Sequence, residues 1–187
     1  YWAYVHEEVL FVVLQSTRTH SLSNAPEQKR WLRAVLSSAA AKEARARIAF
    51  GHVPAYAVLD PSVGSKYSEI IEKEQVGVAG GLVDLLIDHQ VDLLISGHSH
   101  APYPAELTRK SDQRKLKILS MPCGHASRKL ASKKEVSPRG YALVEIDNAN
   151  KVSVKIHNWS DGKEIANSYF PPSIDVKSSK VTYRRME

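Results

Sequence analysis

Residues 91–102 read Val-Asp-Leu-Leu-Ile-Ser-Gly-His-Ser-His-Ala-Pro. An apolar run stops at a glycine, and two histidines separated by one residue follow it. The run predicts a strand that is buried on both faces. Because residues i and i+2 of an extended backbone point to the same side, we expect His98 and His100 to direct both imidazoles into one pocket. This is the spacing of a pair of metal ligands.

The chain before this stretch alternates strands and helices. Apolar residues at helical spacing predict a helix around Trp31, with Asn24 as its N-cap, and a second helix that starts near Gly80. Short apolar runs predict three further strands, at residues 2–5, 9–15 and 46–50. This order predicts parallel pairing with right-handed crossovers and helices on the faces of the sheet.

A third histidine, His52, stands directly beyond the predicted strand 46–50, and Pro54 prevents that strand from continuing. Ligands of such sheets gather beyond the carboxyl ends of the parallel strands. We therefore expect His52 to meet His98 and His100, although the three residues come from two distant parts of the sequence.

The second half of the chain carries candidate strands without helices. They are expected at residues 107–110, 116–121, 141–147, 151–158 and 163–169, with a two-residue hairpin turn at Asp161-Gly162. This pattern predicts antiparallel or mixed pairing. Residues 1–170 are interpreted as one domain, and the polar residues 171–187 as a tail that is surface-draped or partly disordered.

The composition fits a globular domain. The chain has 187 residues, of which 43% are hydrophobic and 25% are charged, and it carries a net charge of +6. Cys123 is its only cysteine, which excludes an intrachain disulfide framework and a multi-cysteine zinc site. Its apolar runs are too short to span a bilayer, so we expect no membrane partner and a cytoplasmic location. Since it begins with Tyr1, we expect a processed chain or part of a longer one.

Two short motifs carry a resemblance to a known family. Gly51-His52-Val53-Pro54 and Gly97-His98-Ser99-His100, together with the Gln28-x-x-Trp31-Leu32 segment, resemble the calcineurin-like metallophosphoesterases in the part after their third motif. The resemblance implies an α/β fold, namely the C-terminal half of an αββα sandwich with mixed sheet layers flanked by helices. It also implies that His52 and His98 bind one metal ion and that His100 binds the other.

The implied reaction is hydrolysis of a phosphate mono- or diester by a metal-activated hydroxide. The two divalent or trivalent ions would be Mn, Fe, Zn, Co or Ni, because imidazole suits all of these. The family's Asp-x-His, Gly-Asp and Gly-Asn-His motifs do not occur in this sequence. No catalytic residue is therefore assignable, and an N-terminal half from the same gene or a separate chain is the expected partner. This fragment alone is expected to be inactive.

Two alternatives stay open: a non-catalytic structural or interaction module, and a nuclease or nucleic-acid binder. Residues 101–140 contain ten Lys or Arg side chains against three Asp or Glu, which would attract phosphate substrates or nucleic acid. Nucleic acid is not favoured because no aromatic stacking platform is interleaved with these charges. His125 and Tyr56 are candidate substrate contacts, with a turn histidine and aromatic packing as the respective alternatives.

Overall fold

The computed structural model describes residues 1–17, 22, 24–60, 62, 70–123, 128–131, 137–176 and 178–186. Within these residues, the strands are β1 (Trp2–His6), β2 (Val9–Val13), β3 (Ala46–Gly51), β4 (Leu93–Ser96), β5 (Tyr103–Arg109), β6 (Lys115–Ser120), β7 (Gly140–Ile146), β8 (Val152–Asn158) and β9 (Val181–Arg185). The helices are α1 (Pro26–Ser37), α2 (Ala39–Glu43) and α3 (Leu82–Asp88), and single 3₁₀ turns lie at Glu72–Glu74 and Asn167–Tyr169.

Seven strands form the main sheet, in the order β1-β2-β3-β4-β6-β5-β9. Its centre, from β2 to β4 and on to β6, is parallel, and its two ends are antiparallel. The prediction of parallel pairing in the first half is confirmed for β2, β3 and β4, whereas β1 pairs antiparallel with β2. The prediction of mixed pairing in the second half is confirmed, as is the α/β fold class. The parallel strands bury both faces, which explains why their sequences are apolar without alternation.

One face of the main sheet changes from aromatic to charged along its width. Direct partners in neighbouring strands project from the same face. One such row across the sheet is Tyr4, Phe11, Ile48, Leu93, Lys117, Glu106 and Arg184. The opposite face shares a single apolar core with the inward side chains of the helices, such as Leu32, Leu36 and Leu86.

The aromatic end of this face is exposed. The rings of Trp2, Tyr4, Phe11 and Phe50, called the aromatic edge below, stack in sequence with centroid separations of 5.1, 5.0 and 6.4 Å. Trp2 is 55% exposed and Tyr4 is 44% exposed, and among the described strands β1 pairs with β2 alone. The edge strand of the sheet is thus apolar and carries no lysine or proline that would block further pairing.

A second sheet covers part of the same face. It consists of β7 and β8 only, paired antiparallel, with Ala142, Val144 and Ile146 turned towards the main sheet. An apolar cleft of about 530 Å³ remains between these three side chains and the strands β2, β3 and β4. The second layer is therefore narrower than the sheet beneath it.

Helix α1 begins one residue later than the sequence analysis expects. Its N-cap is Ala25, which makes no side-chain hydrogen bond, so the prediction of Asn24 as the cap is wrong. The cause is Pro26, whose fixed φ and missing N–H suit the first helical position. The side chain of Gln28 is buried and binds the backbone of Gln15, just beyond β2. Its Oε1 accepts the Gln15 N–H at 2.7 Å, and its Nε2 donates to the Gln15 carbonyl at 3.0 Å.

Helix α3 is tied to the main sheet by a buried cation. Arg109 at the end of β5 has a side chain that is 9% exposed, and its guanidinium contacts Asp84, Asp88 and Asp112 at 2.6–2.8 Å. Hydrogen bonds from Arg109 and Arg114 hold the pKa of Asp112 well below its usual range. This cluster positions the helix that leads into β4 and its histidines.

Two predicted features near the C-terminus are wrong. No strand spans residues 163–169, where Glu164 alone bridges to His157 before the chain turns at Asn167–Tyr169. Conversely, the expected polar tail contains β9, which pairs with β5 and buries Val181 and Tyr183. The turn after β8 does contain a glycine with positive φ, Gly162 at +68°. Among the described residues, no helix is long and apolar enough to cross a membrane.

Candidate functional site

The ends of β3 and β4 bring His52 and His98 together. Gly51 and Ser96, the last residues of the two strands, are partners in the parallel register. His52 follows directly and His98 lies two residues beyond Ser96, so both leave the same edge of the sheet. Their ring centroids are 5.3 Å apart, with an angle of 79° between the planes. As the strand order predicts, two histidines that are distant in the sequence lie next to each other in the fold.

Gly97 gives His52 the room to lie there. A Cβ atom added at Gly97 would be 3.3 Å from Nδ1 of His52, which is closer than side chains normally pack. The glycine before His98 therefore has a packing role, because the imidazole of His52 rests against its backbone.

We predict that Gly97→Ala moves the His52 ring while the fold remains. The added methyl must displace the imidazole by a few tenths of an ångström, at a cost of about 1 kcal/mol. Imidazole signals in long-range ¹H–¹⁵N spectra should shift for His52 and His98, with His89 and His157 as internal controls. Unchanged His52 signals would contradict this packing role.

Ser16 positions the backbone that carries His52. The N–H of His52 donates to Ser16 Oγ at 2.9 Å, and the N–H of Val53 donates to the Ser16 carbonyl at 3.0 Å. Ser16 is 7% exposed, and an added Cβ on Gly51 would lie 2.8 Å from its hydroxyl. No pattern in the sequence identifies Ser16 as a positioning residue, since a serine after a strand is common in loops.

The two histidines of the Gly-His-Ser-His motif are not on an extended backbone. His98 has φ +64° and His100 has φ +54°, in the left-handed region that non-glycine residues rarely adopt. The N–H of Ser99, which is buried between them, donates to the Gly97 carbonyl at 2.7 Å. The argument that both side chains point to one side of a strand is therefore wrong. Left-handed residues separated by a single position fold the motif into a tight turn.

Comparison with known proteins identifies the family. The family model described as calcineurin-like phosphoesterase matches residues 5–102, which are just over half of the chain and include His52, His98 and His100. The chain belongs to this family. The resemblance stated from the two histidine motifs is confirmed. No curated protein matches the chain.

Two solved structures show the fold of this calcineurin-like phosphoesterase. GAP50, described as the anchor in the inner membrane complex of Plasmodium, matches with a TM-score of 0.58 at 23% identity, covering 88% of this chain and 51% of that chain. Purple acid phosphatase PPD1 from yellow lupin (Lupinus luteus) seeds matches with a TM-score of 0.63 at 15% identity, covering 88% of this chain and 31% of that chain. The chain thus spans about half and about a third of these two proteins.

The described residues do not complete a metal centre. None of their His, Cys, Asp and Glu side chains form a group of three or more that could hold a metal ion. Calcineurin-like phosphoesterases generally use divalent metals. His52 and His98 bring two imidazole ligands together, which is fewer than such a centre needs. The assignment of His52, His98 and His100 as ligands stays a prediction, and the donors found here do not fit a two-metal centre by themselves.

The two predicted substrate contacts have different outcomes. Tyr56 is 3% exposed and packs against Tyr183, and its hydroxyl accepts the N–H of Val76 at 2.9 Å. Burial raises its pKa to about 12. A substrate contact by Tyr56 is therefore wrong, and the alternative of aromatic packing holds, because its position in the core leaves no surface for a substrate. His125 lies outside the described residues.

Proposed function

We propose that this calcineurin-like phosphoesterase domain hydrolyses a phosphate mono- or diester and supplies the histidine side of a two-metal site. The supporting observation is the convergence of His52 and His98 at the ends of β3 and β4, 5.3 Å apart between ring centroids. His100 follows two residues after His98, also in a left-handed conformation. Imidazole donors suit Mn, Fe, Zn, Co and Ni.

The carboxylate ligands are proposed to come from a polypeptide segment outside these 187 residues. The apolar cleft beside the site supports this, since Gly51 and Gly97, the neighbours of His52 and His98, belong to its lining. A strand laid along the open edge of β7 would cover Phe11 and Phe50 and arrive next to the histidines. An apolar face of this size normally marks a surface that is covered by other protein.

The test uses the longest natural polypeptide that contains this sequence. In His98→Ala, we expect the metal content, measured by plasma mass spectrometry, to fall at least about tenfold. Hydrolysis of p-nitrophenyl phosphate and bis(p-nitrophenyl) phosphate should fall with it. The control is His89→Ala, the same chemical change at the C-cap of α3. Full metal content in the His98 variant would show that His98 is not a ligand.

A second candidate is a non-catalytic anchoring module. It is favoured by the lack of a three-ligand group among the described residues and by the likeness to GAP50, described as an anchor. The same assay separates the two candidates. A longest natural polypeptide that holds no metal and releases no nitrophenol would favour the module.

A further inference from the structure

A cleft of about 760 Å³ lies between the charged end of the main sheet and strand β8, away from the histidines. We call it the basic cleft. Its ionisable lining consists of Lys115, Lys117, Lys151, Lys155, Arg184 and Arg185, together with Glu106 and Glu164. Six cationic residues and two acidic residues thus line a volume that is typical of small-molecule sites.

The fold assembles these charges from three separate parts of the sequence. Lys117, Glu106 and Arg184 are direct partners in β6, β5 and β9, so their side chains form one row on the sheet. Lys151 and Lys155 approach from β8 and the turn before it. Lys117 is the partner of Leu93 at the start of β4, whereas His98 follows the end of that strand. The basic cleft and the histidines therefore lie towards opposite ends of the strands.

The carboxylates that are present leave part of this charge uncompensated. Lys115 pairs with Glu106 at 2.7 Å, and Lys155 pairs with Glu145 at 2.7 Å. Among the described residues, Lys151 and Arg184 form no ion pair, and both are exposed. Burial lowers the pKa of Lys117, and the positive charge of Lys151 lowers it further. An anion placed between these cations would relieve their repulsion.

The rest of the lining is mixed. Apolar side chains such as Val154 and Ile165 lie among polar ones such as Thr108 and Thr182. We propose that the basic cleft binds a small organic anion that carries at least two phosphate groups. The cations would bind the phosphates by charge-assisted hydrogen bonds, and the apolar part would contact the organic body. This is a binding site only, and it does not depend on the reaction proposed for the histidines.

A nucleic-acid strand fits the basic cleft less well. Single-stranded nucleic acid needs a continuous basic groove with aromatic rings on which its bases stack. The aromatic ring of the lining is Phe170, which is 2% exposed and so offers no face to a base. The hairpin β7–β8 also bounds the cleft on one side, which favours a compact ligand.

The test is titration calorimetry of the 187-residue chain with inorganic pyrophosphate. We expect one pyrophosphate per chain, and binding weakened about tenfold or more in the double variant K151Q/R184Q. The matched control is R33Q/K42Q, which removes one Arg and one Lys from exposed positions on α1 and α2. Both variants alter exposed side chains only, and urea unfolding would verify that each remains folded.

Four results would overturn the proposal. The first is absence of pyrophosphate binding, and the second is equal weakening in K151Q/R184Q and R33Q/K42Q, which would indicate a general charge effect. The third is tighter binding of a 20-nucleotide single strand than of pyrophosphate, with a steep salt dependence, which would indicate a nucleic-acid surface. A parallel titration of His98→Ala should retain binding, and its loss would place pyrophosphate at the histidines instead.

Discussion

Replacing Arg109 by alanine is expected to lower the free energy of unfolding by about 3 kcal/mol. The substitution leaves Asp84, Asp88 and Asp112 facing one another without the guanidinium that now contacts all three. Because Arg109 itself is only 9% exposed, its charge-assisted hydrogen bonds contribute more than those of an exposed pair, although the three carboxylates are 23–50% exposed. The tie between β5 and α3 would be lost as well.

Urea unfolding followed by circular dichroism measures this effect. Arg114→Ala is the matched control, since Arg114 contacts Asp88 and Asp112 at 2.7 and 2.6 Å but is 47% exposed. Exposed ion pairs contribute little, so this control should lose less than about 1 kcal/mol. Equal losses in the two variants would mean that burial of Arg109 is not the cause.

Gly140→Ala is expected to destabilise the protein by about 2–3 kcal/mol. The added Cβ would clash with the carbonyl oxygen of His157, a backbone atom that can move only if β7 separates from β8. Gly140 and Asn158 are register partners at the first position of β7, so the clash would open the hairpin at that end. The hairpin borders both the apolar cleft and the basic cleft.

The comparison for this variant is Gly162→Ala, measured by the same urea titration. Gly162 has φ +68°, and the nearest atom to an added Cβ is the Tyr141 hydroxyl at 3.7 Å. An alanine there would have a strained backbone but no steric clash, so the free energy of unfolding should fall by about 1 kcal/mol. A smaller loss at Gly140 than at Gly162 would show that the hairpin adapts to the methyl.

The sequence predicts the position of the candidate site because that position follows from topology. Apolar runs without alternation mark β2, β3 and β4 as buried parallel strands, and parallel strands end at one edge. The convergence of His52 and His98 needs no more than this. The local shape of the Gly-His-Ser-His turn could not be predicted in the same way, since the left-handed conformations of His98 and His100 follow no residue pattern.

Contacts between distant parts of the chain account for what the sequence does not predict. Ser16 receives its role from the backbone of His52, 36 residues away. Tyr56 is buried because Tyr183 on β9 packs against it, and β9 itself has too few apolar residues to be recognised without its partner β5. The run of basic residues at 101–140 is divided by the fold. Of its members in the described part of the chain, Lys115 and Lys117 reach the basic cleft.

The aromatic edge has a consequence for the behaviour of the isolated chain in solution. The outer side of strand β1 presents backbone donors and acceptors beside the exposed Trp2 and Tyr4. Such an edge strand can pair with a strand of a second molecule. The net charge of +6 opposes this association, because two copies repel each other. Because the Debye length falls from roughly 30 Å at 0.01 M salt to roughly 3 Å at 1 M, raising the ionic strength removes this barrier and favours precipitation.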